Sequence, residues 1–218
     1  MRTAVRPALP ASVRAPSLAL AGLGLVTLVV LGLLFAGHSA PSTFDAGLLP
    51  GPDGLPDPWW YFANAIDFCG EPVGSAILMV LFVGGSLLAG RTRTAVLTLV
   101  GCGITVALTS ISKPVTGRTI HGSFLSYPSG HTAFATALAL IAAFVLVDRF
   151  RLGRAPAVAL MLGLALVCGF LMAWAEVGLG AHYPTDTIGG FATALAVIPA
   201  TAFVADRVWL RRHETGSR

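Results

Sequence analysis

The chain has 218 residues, of which 55% are hydrophobic and 11% charged, and its formal net charge is +4. A soluble domain carries about 25% charged residues, so the composition excludes an ordinary water-soluble enzyme and points to a membrane. The length suits one compact bundle with no second domain, and the dispersed basic residues form no aromatic–basic stripe of the kind that reads nucleic acid.

Residues 1–16 carry Arg2, Arg6 and Arg14 without an acid and read as a short, flexible cytoplasmic tail. Residues 17–37 form an unbroken apolar run, long enough to cross a bilayer, which needs about 20 residues. A cleaved signal peptide is the rival reading, supported by Ser39-Ala40. The run exceeds the usual signal core of about 7–15 residues, which favours a retained anchor. Residues 38–72 form a polar connection rich in Pro and Gly, with Asp45, Asp53, Asp57, Asp67 and Glu71 and no Lys or Arg. Its centre, Trp59-Trp60-Tyr61-Phe62, suits the headgroup layer, either as an interfacial anchor or as a lip that admits a lipid tail.

Further apolar runs cover residues 73–90, 95–112, 132–147, 155–175 and 187–205, making six spans with the first. Small residues such as Gly84-Gly85 and Gly189-Gly190 predict close helix approach. The predicted fold is thus all-α: a polytopic six-helix membrane domain over residues 17–206, with tails at 1–16 and 207–218. Cys69, Cys102 and Cys168 show no metal spacing and read as small apolar residues rather than a disulfide.

Arginines 2, 6, 14, 91, 93, 149, 151, 154, 207, 211, 212 and 218 all fall on one predicted side. Only Lys113 and Arg118 fall on the other. The positive-inside rule then places both termini in the cytoplasm and the remaining polar stretches on the extracytoplasmic face of the cell membrane.

Those stretches, KPVTGRTIHGSFLSYPSGH (113–131) and GAHYPTD (180–186), hold the chemistry. Pro128-Ser129-Gly130-His131 precedes an apolar run, so it should open a helix, where unpaired N–H groups and the helix dipole suit phosphate. Gly130 allows backbone approach and Ser129 can cap the helix or donate to a phosphate oxygen. Lys113 and Arg118 add positive charge. His182 and Asp186, four apart at a helix mouth, can pair so that the carboxylate fixes the imidazole tautomer and frees the other nitrogen. With His131 as a second proton-exchanging group, one histidine can attack phosphorus while the other protonates the leaving oxygen. No metal-binding spacing accompanies them.

With these motifs in view, the chain resembles the type 2 phosphatidic acid phosphatase (PAP2) superfamily of membrane lipid phosphatases, which shares its site with vanadium haloperoxidases. The resemblance covers the six-span layout and three ordered motifs: Lys113-Pro-Val-Thr-Gly-Arg118, Pro128-Ser129-Gly130-His131 and His182-Tyr183-Pro184-Thr185-Asp186. It implies that His182 is the nucleophile, Asp186 its orienting partner and His131 the general acid. Lys113, Ser129 and Gly130 would bind phosphate, with Arg118 as a local addition, and no metal or other cofactor would be required. The substrate implied is a lipid phosphate or polyprenyl (di)phosphate in the bilayer, hydrolysed through a phosphohistidine.

The motifs depart from the family's at two places. Ile120-His121 stands where the first motif usually ends in Arg-Pro, and Ala175-Glu176 where the third usually opens with Ser-Arg. A charge-assisted phosphate contact contributes on the order of 1.5–3 kcal/mol, so losing two either lowers activity or redirects it. The alternative function is therefore a PAP2-like protein that binds a lipid phosphate without turnover, or one that performs a non-hydrolytic transfer or prenyl diphosphate conversion. His121, Glu176 and Tyr127 are the candidates for modulating substrate. For Glu176 the sequence leaves open a side chain that points away, pairs with Lys113 or Arg118, meets a cationic part of the substrate, or donates a hydrogen bond while protonated.

Overall fold

The computed structural model describes residues 7–51 and 53–215. Arg2, Arg6 and Arg218 lie outside the described residues, as does the side chain of Arg212. The helices are α1 (Arg14–Leu34), α2 (Thr43–Ala46), α3 (Trp59–Phe68), α4 (Pro72–Leu88), α5 (Thr92–Thr116), α6 (Gly130–Arg149), α7 (Arg154–Gly178) and α8 (Pro184–Thr215). A two-residue hairpin, β1 (Thr119–Ile120) with β2 (Phe124–Leu125), joins α5 to α6. Five helices are long and apolar enough to span a bilayer, and α3 with α4 makes a sixth, broken span bent by 58°. The protein is a multi-pass, all-α membrane bundle.

The predicted spans fall on α1, α4, α5, α6, α7 and α8. The second is corrected in kind. Its helix, α4, has only 17 residues and reaches spanning length with α3, whose aromatic start the sequence reading left inside a connection. α6 is the central helix, with Leu140, Ile141 and Ala143 fully buried and packed against residues of α5, α7 and α8. Helix α8 seats against the start of α6 through the predicted small pair: a Cβ at Gly190 would overlap the Ser129 carbonyl oxygen, and one at Gly189 the Tyr127 ring. The other predicted pair, Gly84-Gly85, faces open space.

The flexible-tail expectation for residues 1–16 is also corrected for its described part. Leu9 and Val13 are fully buried in the core, and Asp206 accepts the N–H groups of Ala8 and Leu9 at 2.9 and 3.0 Å. Asp206 also pairs with Arg93 at 3.1 Å, and Arg91 with Asp148 at 2.8 Å. These ion pairs close one end of the bundle. The predicted C-terminal tail from 207 is helical through Thr215. At the opposite end the termini of α1 and α5 are tied together: Gly37 donates to the Thr116 carbonyl at 2.8 Å and Thr119 to that of His38 at 3.0 Å. That end carries the polar motifs.

Candidate active site

Ser129 caps α6, accepting from Thr132 N–H at 3.1 Å. Its own N–H donates to the Asp186 carbonyl at 3.0 Å, which fastens the start of α6 to the start of α8. This joint brings His131, in the first turn of α6, towards His182, just before α8. Lys113 sits half-buried in the last turn of α5, with no carboxylate partner among the described residues. Gly130 lies beside Thr109, one turn before Lys113 on α5.

His182 is buried between two carboxylates. Nδ1 lies 3.6 Å from Asp186 Oδ2, and Nε2 lies 3.4 Å from Glu176 Oε1. Asp186 is itself fixed, accepting from Tyr183 N–H at 3.0 Å and from the Arg118 guanidinium at 2.6 Å. On the far wall His131 presents Nδ1 to Glu176 Oε1 at 3.5 Å, while its Nε2 lies 4.0 Å from Asp67 and 3.7 Å from Glu71.

Four expectations change. Arg118 is fully buried and committed: it donates to Asp186, to Thr185 at 2.6 Å and to Asp45 at 2.7 Å, and it is stacked between Phe35 and Tyr183. A guanidinium held by two carboxylates and two rings has no face left for phosphate, so it acts by clamping Asp186. His121 lies outside the pocket on the hairpin, its Nε2 2.8 Å from the Gly180 carbonyl oxygen. Tyr127 is buried and donates its hydroxyl to the Leu28 carbonyl at 2.7 Å, which makes it a brace to α1 rather than a substrate contact. Glu176 points into the pocket and pairs with neither Lys113 nor Arg118. Its Oε2 accepts from Ser129 at 2.5 Å and from Thr132 at 2.6 Å, while its buried Oε1 has no hydrogen-bond partner among the described residues.

Three acids join the site that motif reading missed. Asp45, in α2, receives Arg118, the Thr185 N–H at 2.9 Å and the Thr185 hydroxyl. Burial alone would raise its carboxyl pKa, but hydrogen bonds from Thr185, Ser42 and Arg118 outweigh it and hold the carboxyl below its ordinary value. Its one sequence signal is Ser42-x-x-Asp45, which forms a capping box. Asp67 and Glu71 flank the α3–α4 bend, and their signal is two acids four apart in a connection without a base.

Beside the pocket, α7 and α8 enclose an apolar groove of about 450 Å³, lined among others by Thr132, Gly169, Phe170, Trp174, Ile188 and Phe191. Thr132 borders both groove and pocket, since its hydroxyl holds Glu176.

The family model of the PAP2 superfamily matches residues 59–210. The chain belongs to the PAP2 superfamily. A solved structure, the first transmembrane PAP2-type phosphatidylglycerolphosphate phosphatase from Bacillus subtilis, is similar to this PAP2 chain with a TM-score of 0.64 and 20% identity, covering 86% of this chain and 96% of that one. At that identity the likeness carries the fold. No curated protein matches the chain in sequence. Within the PAP2 frame, Glu176 stands at a position where the superfamily motif usually has arginine, and it places an acid 3.5 and 3.4 Å from His131 Nδ1 and His182 Nε2.

Proposed function

We propose that the protein is a membrane phosphatase that hydrolyses a lipid phosphate or polyprenyl (di)phosphate at the extracytoplasmic face. One observation carries the reading: His182, with Asp186 behind one ring nitrogen, turns the other onto the Glu176 oxygen that also faces His131, in a pocket that shares Thr132 with an apolar groove. The bilayer supplies the substrate, its tail lies in the groove, and its phosphate meets the start of α6, where first-turn N–H groups, Gly130 and Lys113 receive negative charge; Ser129, expected to bind phosphate, instead spends its N–H on the Asp186 carbonyl and its hydroxyl on Glu176.

Nε2 of His182 attacks phosphorus, and the bond from phosphorus to the lipid oxygen breaks. His131 gives its Nδ1 proton to that oxygen, releasing the alcohol, or the shorter phosphate when a diphosphate is cleaved. Water then attacks the phosphohistidine, His131 takes the water's proton, and the P–N bond breaks to release phosphate. The orientation rests on the twelve of fourteen basic residues that the sequence puts on the opposite predicted side.

The test is phosphate release by purified protein in detergent. Its panel contains phosphatidic acid, phosphatidylglycerol phosphate, and short and long prenyl mono- and diphosphates, with His182→Ala beside the wild type. Release by the wild type and none by the variant supports the reading; equal release by both overturns the mechanism. The position of Glu176 favours a second reading, lipid-phosphate binding without turnover or a non-hydrolytic conversion. Product mass analysis separates these, because they give no free phosphate.

A further inference from the structure

Glu176 puts a carboxylate at a spot that both histidines face. The side chain is fully buried. Its Oε1 lies 3.4 Å from Nε2 of His182 and 3.5 Å from Nδ1 of His131. Both distances exceed an ordinary hydrogen bond of about 2.7–3.2 Å, and this buried oxygen has no hydrogen-bond partner among the described residues. The other oxygen takes the hydroxyls of Ser129 at 2.5 Å and Thr132 at 2.6 Å. Those hydroxyls stand at the start of α6, where the helix dipole favours an anion.

The spot matters for the chemistry. A phosphorus poised for attack stands about 3–3.5 Å from its nucleophile, and the oxygen that leaves it must reach the acid. With His182 as nucleophile and His131 as acid, the phosphate belongs between the two ring nitrogens, where Oε1 now lies. Two anions cannot share that place, because like charges repel strongly in a buried site.

We propose that Glu176 is the specificity-determining residue of this site: its carboxylate fills the phosphate's seat, shuts out small soluble phosphates, and yields to a phosphate whose apolar tail binds the adjoining groove. The choice of substrate rests on the phosphatase reading; the competition for the seat does not. Thr132 links seat and groove, since it holds Glu176 through its hydroxyl and also lines the groove. Binding of a remote part of a substrate offsets the cost of rearrangement at the reacting centre, and a free phosphate has no such part. Displacing Glu176 also releases the Ser129 and Thr132 hydroxyls to the incoming phosphate oxygens. An arginine at this position would attract any phosphate, with or without a tail.

The experiment uses purified full-length protein in detergent, first without lipid. Orthovanadate, a phosphate mimic with no tail, is titrated into wild type, Glu176→Gln and Glu176→Ala and followed by vanadium nuclear magnetic resonance. The first variant removes the charge and the second empties the seat. Each variant that thermal unfolding shows to be folded should bind vanadate at least about tenfold more tightly than wild type. In a second arm, kcat/KM is compared for a long-chain prenyl phosphate and a short soluble one. The preference for the long chain should fall about tenfold in Glu176→Gln, through a gain on the short substrate. A merely structural role would lower both values together and weaken vanadate binding. The wild type carries its own check: saturating vanadate should shift a carboxylate stretch in the infrared difference spectrum. Saturable wild-type binding without that shift, vanadate binding no tighter in either folded variant, or an unchanged chain-length preference overturns the proposal. Tighter vanadate binding by the variants with no phosphate released from any lipid would sink the phosphatase reading and leave the competition for the seat standing. Phosphate release from lipid with equal vanadate binding by all three proteins would do the reverse.

Discussion

Arg118 determines how Asp186, the carboxylate behind His182, is held. Its guanidinium bridges Asp45 and Asp186 with no exposure, and a buried carboxylate stripped of its partner costs about 3–5 kcal/mol. Arg118→Ala should therefore lower stability by about that much in detergent unfolding, far more than loss of an exposed phosphate contact would. The same clamp gives a pH signature. The Asp45 pKa is lower folded than unfolded, so its contribution is fully present above about pH 4, the unfolded value, and is lost as pH falls through the lower folded value. The stability advantage of wild type over Asp45→Asn should shrink across that acid window and hold steady above it. The sequence made His131, His182 and Asp186 legible because their spacing and helix-start context carry the chemistry locally. It misassigned Arg118 because its partners Asp45 and Asp186 are 73 and 68 residues away, and neither pairing has a local pattern.

At the scale of elements, five of the spans were readable from apolar length alone, since a bilayer demands it. The break between α3 and α4 was not, because Trp59–Phe68 is flanked by prolines and its ten residues are too few to register as a span. The hairpin escaped for a similar reason, with strands of two residues each. The broken span nonetheless aims Asp67 and Glu71. Gly70→Ala should push the α3–α4 bend off His131, cost about 1–3 kcal/mol by overpacking, and reduce phosphate release. Unchanged unfolding and unchanged turnover would mean that the bend does not press on the site.

Over the whole molecule, the proposed function assigns the apolar groove to the lipid tail and reads sidedness from the charge asymmetry. Ile188→Trp narrows the groove beside the pocket. If about two methylenes of tail contact are lost, at about 0.8 kcal/mol each, kcat/KM for a long-chain phosphate should fall about tenfold while that for a short soluble phosphate holds. Orientation is checked in intact cells with single cysteines in a cysteine-free background. An impermeant maleimide should label Ser123→Cys on the hairpin and spare Arg151→Cys between α6 and α7; the opposite pattern would reverse the proposed sidedness. The central claim is that His182 carries the phosphoryl group. The most direct measurement mixes the enzyme with a radiolabelled lipid phosphate, quenches within milliseconds in alkaline detergent, where phosphohistidine survives, and maps the label by mass spectrometry. The account predicts acid-labile phosphate on His182, absent from His182→Ala. Phosphate release with no label on His182 at any quench time would contradict it.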